Sequence, residues 1–407
     1  MAELEYWLWL TTRKGLGPAG ALTVLDHFGT PERAFYGEEG DFGLLPLDSF
    51  ARRSLLDKSM DEPNKILGDC DRLGVRVMTF QDAGYPQRLR QIGLPPVVLY
   101  IKGKAFRFDE EPAIAVVGMR RCSAKGVEWA EKMGLDLASK GALVVSGIAE
   151  GVDCHAIRGA LSGGGPVVSL LAGGVDVKFP YENRFYYDDV AAAGALISEY
   201  PPGTPHKGAH FKPRNRIISG LCLGVLAIEC EVQGGTMLTV GHALEQGREV
   251  YALPVGPDEG RARGTNRLIH DNMARLVESA EDVLEDYVDL YPSKLAKLAP
   301  LPPEVARARL SQGVDKPQRE HPVQRPPREE PGKRELVPRA RQRDRFTDDE
   351  LSVLAAAAKS ALTADEIVER TQIPAKRILS AITMLQVQGA VEERPGRRFY
   401  ALVELEG

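Results

Sequence analysis

The chain has 407 residues, of which 43% are hydrophobic and 27% are charged, and its formal net charge is −5 at pH 7. These values are typical of a water-soluble globular protein of two or three domains. They exclude nucleic-acid binding through the field of the whole molecule, so any such binding requires local basic patches. Five cysteines without a C-x-x-C pair favour neither a zinc site nor a disulfide framework. The N-terminus lacks a signal-peptide pattern, and no apolar run approaches the roughly 20 residues of a membrane span. We therefore expect a cytoplasmic protein without a metal or a membrane segment.

The first 75 residues are predicted to form a small helical domain. The turn GLGP at 15–18 separates two patterns of helical spacing, and it is similar to half of a helix-hairpin-helix or SAM-like unit. Two interpretations stay open. In the first, the glycine amides contact a DNA phosphate. In the second, the turn only joins two packed helices, and the shortness of the signal favours this second interpretation. Two strands follow, over Val75–Met78 and Val97–Ile101, and we expect them at the edge of the main sheet.

Residues 76–290 alternate short apolar runs with helical patterns, which predicts an α/β fold with an extended, doubly wound sheet. Its first unit is a strand over Ile114–Val117, a helix capped by Ser123 and a second strand that ends at Ser146-Gly147. Because a helix N-terminus presents free N–H groups and the positive end of a dipole, an anion is expected there.

Two arginines, Arg120 and Arg121, follow Gly118 where a G-x-G-x-x-G fingerprint would continue with glycine. Cationic side chains suit a chain of phosphates better than a buried dinucleotide. Further strands and helices complete the pattern, and ligands are expected where the strands end. The strands are predicted at Val167–Leu171, Ala195–Ile197, Val225–Glu229 and Glu249–Leu253, and the helices at 153–161, 182–193, 214–222 and 236–247.

The last third of the chain changes character twice. Residues 291–345 are rich in proline and show no period, and from Leu301 to Arg345 twelve Lys/Arg stand against seven Asp/Glu, which predicts a disordered linker. Residues 346–407 are predicted to form three helices and a hairpin over Pro395-Gly396, the order of a winged helix. Its third helix either enters a major groove or binds a protein, and the sequence leaves these two interpretations equal. The cations that favour the groove are Lys376, Arg377, Arg397 and Arg398; the side chains that disfavour it are Leu379, Met384 and Val387.

Four longer segments, together with VGMRRCSAKG, resemble the DNA-processing protein A (DprA/Smf) family in order and spacing. They are SGIAEGVDCHAIRGAL, LLAGGVDVKFPYENRFY, ISEYPPGTPHKGAHFKPRNRIISGL and IECEVQGGTMLTVGHALEQGREVYALPVG. The resemblance implies an extended Rossmann-like sheet with a helical SAM-like N-terminal domain and a C-terminal winged helix. It also implies a protein of natural transformation that protects incoming single-stranded DNA and loads RecA onto it. Such a protein is expected to bind DNA independently of sequence, as a homodimer, without catalysis, cofactor or small-molecule substrate.

The candidate DNA-binding residues lie at the ends of the predicted strands. Arginines there can grip phosphate oxygens bidentately, and Phe211 offers a face for base stacking. Asn215 can hydrogen-bond a base or a sugar, and glycines allow the backbone to come close. The alternative is that Phe211 belongs to the core and that Arg214 and Arg216 pair with Glu199 or Glu229. The whole predicted set is Gly118, Met119, Arg120, Arg121, Ser123, Ser146, Gly147, Gly174, Lys207, Phe211, Arg214, Asn215 and Arg216.

Two other functions stay open, an enzyme and a protein-binding adaptor. The segment QGGT at 233–236, with Glu245, is similar to the signature of nucleoside-monophosphate phosphoribohydrolases. However, Val240 stands where that signature has its acid. Asp153 is interpreted as a helix cap rather than a catalytic acid, and His155, two places early for the family pattern, receives no role. The segment Gly234–Val240 and the helix after it are candidates for a dimer interface.

Overall fold

The computed structural model describes residues 2–256, 262–295, 335–338, 342–343, 345–358, 360–394 and 398–406. The chain divides into two compact units, Met1–Pro317 and Gln318–Gly407. Within the described ranges, no helix is both long and apolar enough to cross a membrane.

The first unit is built on one sheet. Its described strands are β1 (Arg76–Thr79), β2 (Val98–Gly103), β3 (Ala113–Val117), β4 (Leu143–Ser146), β5 (Val167–Leu171), β6 (Ala195–Ser198), β7 (Gly224–Ala227), β8 (Glu249–Ala252) and β9 (Arg275–Leu276). They lie in the order β1-β2-β6-β5-β4-β3-β7-β8-β9. From β6 to β9 along this order all pairs are parallel, whereas β1 and β2 add an antiparallel edge.

The strand β3 shows why the sheet is covered on both faces. All five of its residues are buried. Ile114 and Val116 belong to one hydrophobic cluster, whereas Ala115 and Val117 belong to a second. Because successive side chains of a strand point to opposite faces, the two clusters are the two cores on either side of the sheet. This arrangement explains the continuous apolar runs that the sequence shows at the central strands.

Helices connect the strands and wind the sheet twice. They are α7 (Gln87–Arg90), α8 (Ala124–Ser139), α9 (Val152–Gly163), α10 (Arg184–Ala193), α11 (Gly208–Leu221), α12 (Gly235–Glu245), α13 (Gly264–His270) and α14 (Ala280–Leu284). After β3 the chain moves outward to β4, β5 and β6, and it later returns beside β3 to form β7, β8 and β9. The order therefore reverses between β3 and β7. The predicted doubly wound α/β fold is confirmed, with β1 and β2 at the edge.

One helix differs from the prediction in a way that matters for the site. The sequence predicts a helix from residue 214, just after Pro213, whereas α11 begins at Gly208 and contains Pro213 in its interior. Proline disfavours a helix interior because it lacks an N–H and crowds the preceding turn, so the local rule misplaced this start. The longer helix carries Phe211 and Lys212.

The N-terminal segment is helical as predicted. Its helices are α1 (Ala2–Thr11), α2 (Gly17–Phe28), α3 (Pro31–Phe35), α4 (Glu39–Gly43), α5 (Ser49–Leu55) and α6 (Asp61–Leu73). They belong to the same compact unit as the sheet, and Trp7 and Val24 share a hydrophobic cluster with Tyr100 of β2. The turn before α2 has Gly15 at φ 77°, and a Cβ there would lie 2.5 Å from the Phe50 ring. The turn is thus packed against α5, as expected for a junction of two helices.

The second unit contains the predicted three helices and hairpin, which confirms a winged helix. Its elements are β10 (Glu335–Val337), α15 (Asp348–Ala357), β11 (Leu362–Thr363), α16 (Ala364–Thr371), α17 (Ala375–Val387), β12 (Val391–Arg394), β13 (Arg398–Ala401) and β14 (Val403–Leu405). β12 and β11 flank β13, and β10 pairs in parallel with β14. The predicted turn over Pro395-Gly396 and the side chain of Arg397 lie outside the described residues.

Both ends of the predicted linker 291–345 need correction. β10 lies inside that range and is fixed by its ladder to β14, so structure of the second unit begins earlier than residue 346. At the other end, the Lys294 ammonium lies 2.7 Å from a Glu111 carboxylate oxygen, so the first residues of the predicted linker are held by the first unit. Residues 296–334 lie outside the described part of the chain.

Candidate nucleic-acid interface

A cleft of about 960 Å³ opens at the carboxyl ends of β3 and β7. Its lining comes from the loop after β3, the start of α9, the first half of α11 and the segment 231–239 that includes the start of α12. At a switch point the chains leave neighbouring strands in opposite directions, which opens a crevice between their loops. The structure thus places a cleft where the sequence analysis expected a ligand.

The loop after β3 is fixed at both ends by Glu229, which follows β7. The Met119 N–H donates to the Glu229 carbonyl (2.9 Å), and the Ser123 N–H donates to the Glu229 carboxylate (2.9 Å). The Ser123 hydroxyl in turn accepts from the Gly126 N–H (3.0 Å), which confirms Ser123 as the cap of α8. Ser123 and Met119 therefore hold the loop in place, and the exposed Arg120 and Arg121 extend between these two anchors.

Arg120 lies over the ring of Phe211, with its guanidinium carbon 4.8 Å from the ring centroid. Phe211 is half-buried, and it belongs to an aromatic group with Phe179 and His206. Phe179 is 46% exposed and stacks on His206 at 5.2 Å between centroids. A cation over an aromatic face, beside a second exposed ring, offers a charge for a phosphate and flat surfaces for bases.

Arg214 forms the floor of the cleft rather than an exposed clamp. It is 5% exposed and donates to the carbonyl oxygens of Gly147 (3.3 Å) and Leu170. Its charge lies near the buried carboxyl of Asp153. Burial raises the pKa of Asp153 to about 6, while Arg214 and the neighbouring backbone N–H groups favour the charged form. Burial also lowers the pKa of Arg214.

This environment corrects the interpretation of Asp153 as a helix cap. α9 begins at Val152, so Asp153 lies inside its first turn, and no side chain caps that helix. The backbone N–H groups that favour the charged form of its carboxyl, and so hold its pKa down, are instead those of Gly147 and Ala149, upstream of the helix. Gly147 leaves the necessary space, because a Cβ there would lie 2.6 Å from both the Arg214 guanidinium and the Asp153 carboxylate.

Arg216 is placed elsewhere, in a buried bidentate pair with Glu199. The two guanidinium–carboxylate contacts measure 3.0 and 2.7 Å, and Nε donates to the Leu94 carbonyl (2.8 Å). Arg216 is 5% exposed and is not among the residues that line the cleft. For Arg216, the structure therefore agrees with the alternative to DNA binding, a pair with Glu199. This placement argues against a phosphate contact by Arg216.

Three of the other predicted residues shape the ends of the strands. The Ser146 hydroxyl donates to the Val116 carbonyl (2.7 Å), and the Gly174 N–H donates to the Thr204 carbonyl (2.8 Å). Gly118 allows the chain to pass Val152, since a Cβ there would lie 2.5 Å from that side chain. These residues set the backbone on which the cleft is built.

Lys207 and Asn215 differ in their placement relative to the cleft. Lys207 is exposed just before the helix and does not belong to the lining, whereas Lys212 does. Asn215 lines the cleft, and its amide donates to the Gly235 carbonyl at the start of α12 (3.5 Å). His155 lies away from the lining, with Nδ1 2.8 Å from a Glu131 carboxylate oxygen, so it joins α9 to α8.

Sequence reasoning missed several lining residues, namely Phe179, His206, Lys212, Thr236 and Thr239. Phe179 and His206 had a usable signal, because each follows the end of a strand by several residues. Lys212 had none, because its position depends on the early start of α11. Within the described ranges, no group of three or more His, Cys, Asp or Glu side chains could hold a metal ion.

The cations of the winged helix are largely paired inside their own unit. Arg377 forms two hydrogen bonds with Asp349 (2.8 and 2.7 Å), and Arg398 lies 3.2 Å from Glu366. Lys376 is exposed at the start of α17. These pairs are surface-exposed, so they do not exclude exchange of the carboxylate for a phosphate.

Taken together, the doubly wound sheet, its arginine-lined cleft and the winged helix define an α/β nucleic-acid-binding protein with an accessory winged-helix unit. Residues 76–288 match the family model of DNA recombination-mediator protein A, and residues 328–397 match that of the DprA winged helix domain. The chain belongs to the DNA-processing protein A (DprA/Smf) family.

Relatives of known name agree with this assignment. Protein Smf of Synechocystis sp. is 28% identical over 98% of this chain and 98% of its own. DNA processing protein DprA of Streptococcus pneumoniae is 38% identical over 51% of this chain and 72% of its own. The X-ray structure of the pneumococcal protein superposes with a TM-score of 0.62 and 30% identity, and covers 69% of this chain and 97% of that one.

Proposed function

We propose that this chain binds single-stranded DNA in the cleft between β3 and β7, independently of base sequence. The observation that carries the proposal is the guanidinium of Arg120, held 4.8 Å over the ring of Phe211 by a loop that Glu229 anchors. Stacking of a base on an aromatic ring contributes about 1–3 kcal/mol and tolerates every base, because each base has a π-face. Duplex DNA keeps its bases stacked inside, so the rings favour a single strand.

The charges of the cleft support the same conclusion. Arg120, Arg121 and Lys212 line the cleft with exposed cations, although the whole chain is acidic. Local cations are sufficient for phosphate binding, and their contacts release counterions, so the affinity will fall with rising salt.

We further propose that the bound strand is incoming DNA of natural transformation, which the protein protects and onto which it helps to load RecA. Membership in a family of recombination mediators supports this role. On the same basis we propose that the protein acts as a cytoplasmic homodimer, without catalysis and without a cofactor. The alternative of a nucleoside-monophosphate hydrolase is weakened by Val240, which is fully buried where that signature needs an acid. Release of free base from AMP would revive it.

The test is fluorescence anisotropy with labelled oligo-dT at low and moderate salt. Arg120→Ala is expected to weaken binding about tenfold, the value of a hydrogen bond to a charged group. The matched control is Arg107→Ala, because Arg107 is exposed, precedes β3 instead of following it, and pairs with Glu110 (3.0 Å). Loss of binding in Arg120→Ala alone supports the cleft. Equal loss in both variants, or in neither, places the DNA elsewhere, for example on the winged helix.

A further inference from the structure

A second part of the cleft lining, the start of α12, has the features of an anion site. Gly234 precedes the helix in an extended conformation, and no side chain caps the helix. The first amides of a helix have no partner within it, and its dipole places about half a positive charge there. Among the described residues, no atom lies within 4 Å of the position that a Cβ of Gly235 would take. Since Gly234, Gly235 and Thr236 also line the cleft, the start of α12 borders open space there.

Two hydroxyl side chains give an independent indication of a ligand. Thr236 and Thr239 both line the cleft, and they are only 9% and 3% exposed. In the part of the chain that the structure describes, neither hydroxyl forms a hydrogen bond, and neither oxygen is among the fully buried unpaired atoms, so both are open to the cleft. Residues three apart lie on the same face of a helix. A hydroxyl that opens into the cleft is able to donate to a ligand there, and an anion bound in front of the helix would accept from both.

We propose that the start of α12, with Thr236 and Thr239, is a second phosphate-binding subsite of the cleft, and that it takes an internal phosphodiester of the bound strand. The inference rests on the proposed function, since it assigns a second backbone contact to the same strand. Arg120 holds one phosphate through a full charge, whereas the α12 subsite holds another through neutral donors.

The choice of a phosphodiester over a terminal phosphate follows from Glu231. This residue lines the cleft, and its carboxylate oxygen lies 3.9 Å from the position that a Cβ of Gly234 would take. A phosphodiester carries one negative charge, whereas a terminal phosphate carries about 1.5 to 2 at pH 7. The half charge of the helix terminus, close to a carboxylate, tolerates the smaller charge better. The subsite should therefore accept the middle of a strand and be indifferent to a 5′-phosphate.

A pair of substitutions at Gly235 isolates one amide donor. Proline is compatible with the first position of a helix and with an extended residue before it, so Gly235→Pro removes the N–H with little strain. Gly235→Ala adds a side chain in the same space and keeps the N–H. We expect Gly235→Pro to bind oligo-dT about tenfold more weakly than Gly235→Ala, and Thr236→Val/Thr239→Val to lose a similar factor relative to wild type.

The salt dependence distinguishes this subsite from the arginine. Neutral donors displace no counterion, so Gly235→Pro should keep the slope of log K against log[salt]. Arg120→Ala should reduce that slope by about 0.7, the value for one phosphate of a single strand. Oligo-dT with and without a 5′-phosphate should bind alike. If Gly235→Pro fails to fold, as judged by tryptophan fluorescence, the double valine variant carries the test.

Three results would overturn the inference in distinguishable ways. Equal binding by Gly235→Pro and Gly235→Ala, with Arg120→Ala impaired, removes the subsite and leaves the proposed function standing. Tighter binding of 5′-phosphorylated oligo-dT, with the gain lost in Gly235→Pro, means that the subsite takes a terminal phosphate. No binding of oligo-dT by the wild type refutes the proposed function and this inference together.

Discussion

Removal of the Glu199 carboxylate tests whether Arg216 is structural or binds phosphate. In Glu199→Gln the Arg216 guanidinium, 5% exposed, loses its charged partner; one amide oxygen can still accept from it, and the hydrogen bonds to the carbonyl oxygens of Leu94 and Pro213 remain. An uncompensated buried charge of this kind typically destabilises the folded state by about 3–5 kcal/mol. We take the lower figure, about 3 kcal/mol, because two carbonyl contacts remain.

The assay is urea unfolding followed by tryptophan fluorescence. The three tryptophans are Trp7, Trp9 and Trp129, so the signal reports on the first unit alone. With a slope of about 3 kcal/mol/M, a loss of about 3 kcal/mol lowers the urea midpoint by about 1 M. The control is Asp188→Asn, which breaks an exposed pair with Lys178 (2.6 Å) and should cost less than about 1 kcal/mol.

Two results would refute the reasoning about this pair. A Glu199→Gln midpoint within 0.3 M of wild type, roughly 1 kcal/mol at that slope, would mean that the pair contributes little. Tighter oligo-dT binding by Glu199→Gln under native conditions would mean that the carboxylate competes with phosphate for Arg216. We expect unchanged binding, because Arg216 lies outside the cleft lining.

Three further outcomes follow from the cleft. Phe211→Ala should weaken oligo-dT binding by the value of one stacked base, about 1–3 kcal/mol, and leave the slope of log K against log[salt] unchanged. Arg120→Ala should change both the affinity and that slope. Anisotropy titrations at four salt concentrations distinguish the two variants. Because burial raises the pKa of Asp153 to about 6, the folded chain binds more protons than the unfolded chain between about pH 4 and 6. The stability from this group is therefore present below about pH 4 and lost as the pH rises through 6. Urea unfolding against pH should show this fall in wild type and not in Asp153→Asn. Gly147→Ala should impair both stability and DNA binding, since its Cβ would lie 2.6 Å from Arg214 and Asp153; wild-type values for either would contradict the geometry.

Local rules were sufficient for the strands β1 to β8 and for one cap, whereas the two-residue strand β9 was not predicted. β5 has the bounds that its apolar run predicts, and Ser123 caps α8 as its position before a helical pattern indicates. Both signals are contained in a few neighbouring residues. The cleft was located by the general rule that ligands bind at the ends of strands, which needs only the order of elements.

The roles of the buried arginines could not be read from spacing. Glu199 lies 17 residues from Arg216 and Gly147 lies 67 residues from Arg214, and such pairs form only when the sheet brings their strands together. The same holds for β10, whose partner β14 is more than 60 residues away. A short segment of this kind has no period of its own, so the sequence predicts a linker there.

Arg214 and Arg120 have different roles because they lie at different places relative to the switch point of the sheet. Arg214 lies at the floor of the cleft, where the buried Asp153 carboxyl and carbonyl oxygens surround its guanidinium. Its side chain is therefore fixed before any ligand arrives. Arg120 lies on a loop that Glu229 holds at both ends while its side chain stays exposed. Arg214 is therefore a fixed part of the cleft floor with little side-chain entropy to lose, whereas Arg120 is the exposed cation on an anchored loop to which we assign the phosphate contact. Arginine alone at a strand end therefore does not identify a phosphate contact, because the partner that buries it can lie anywhere in the chain.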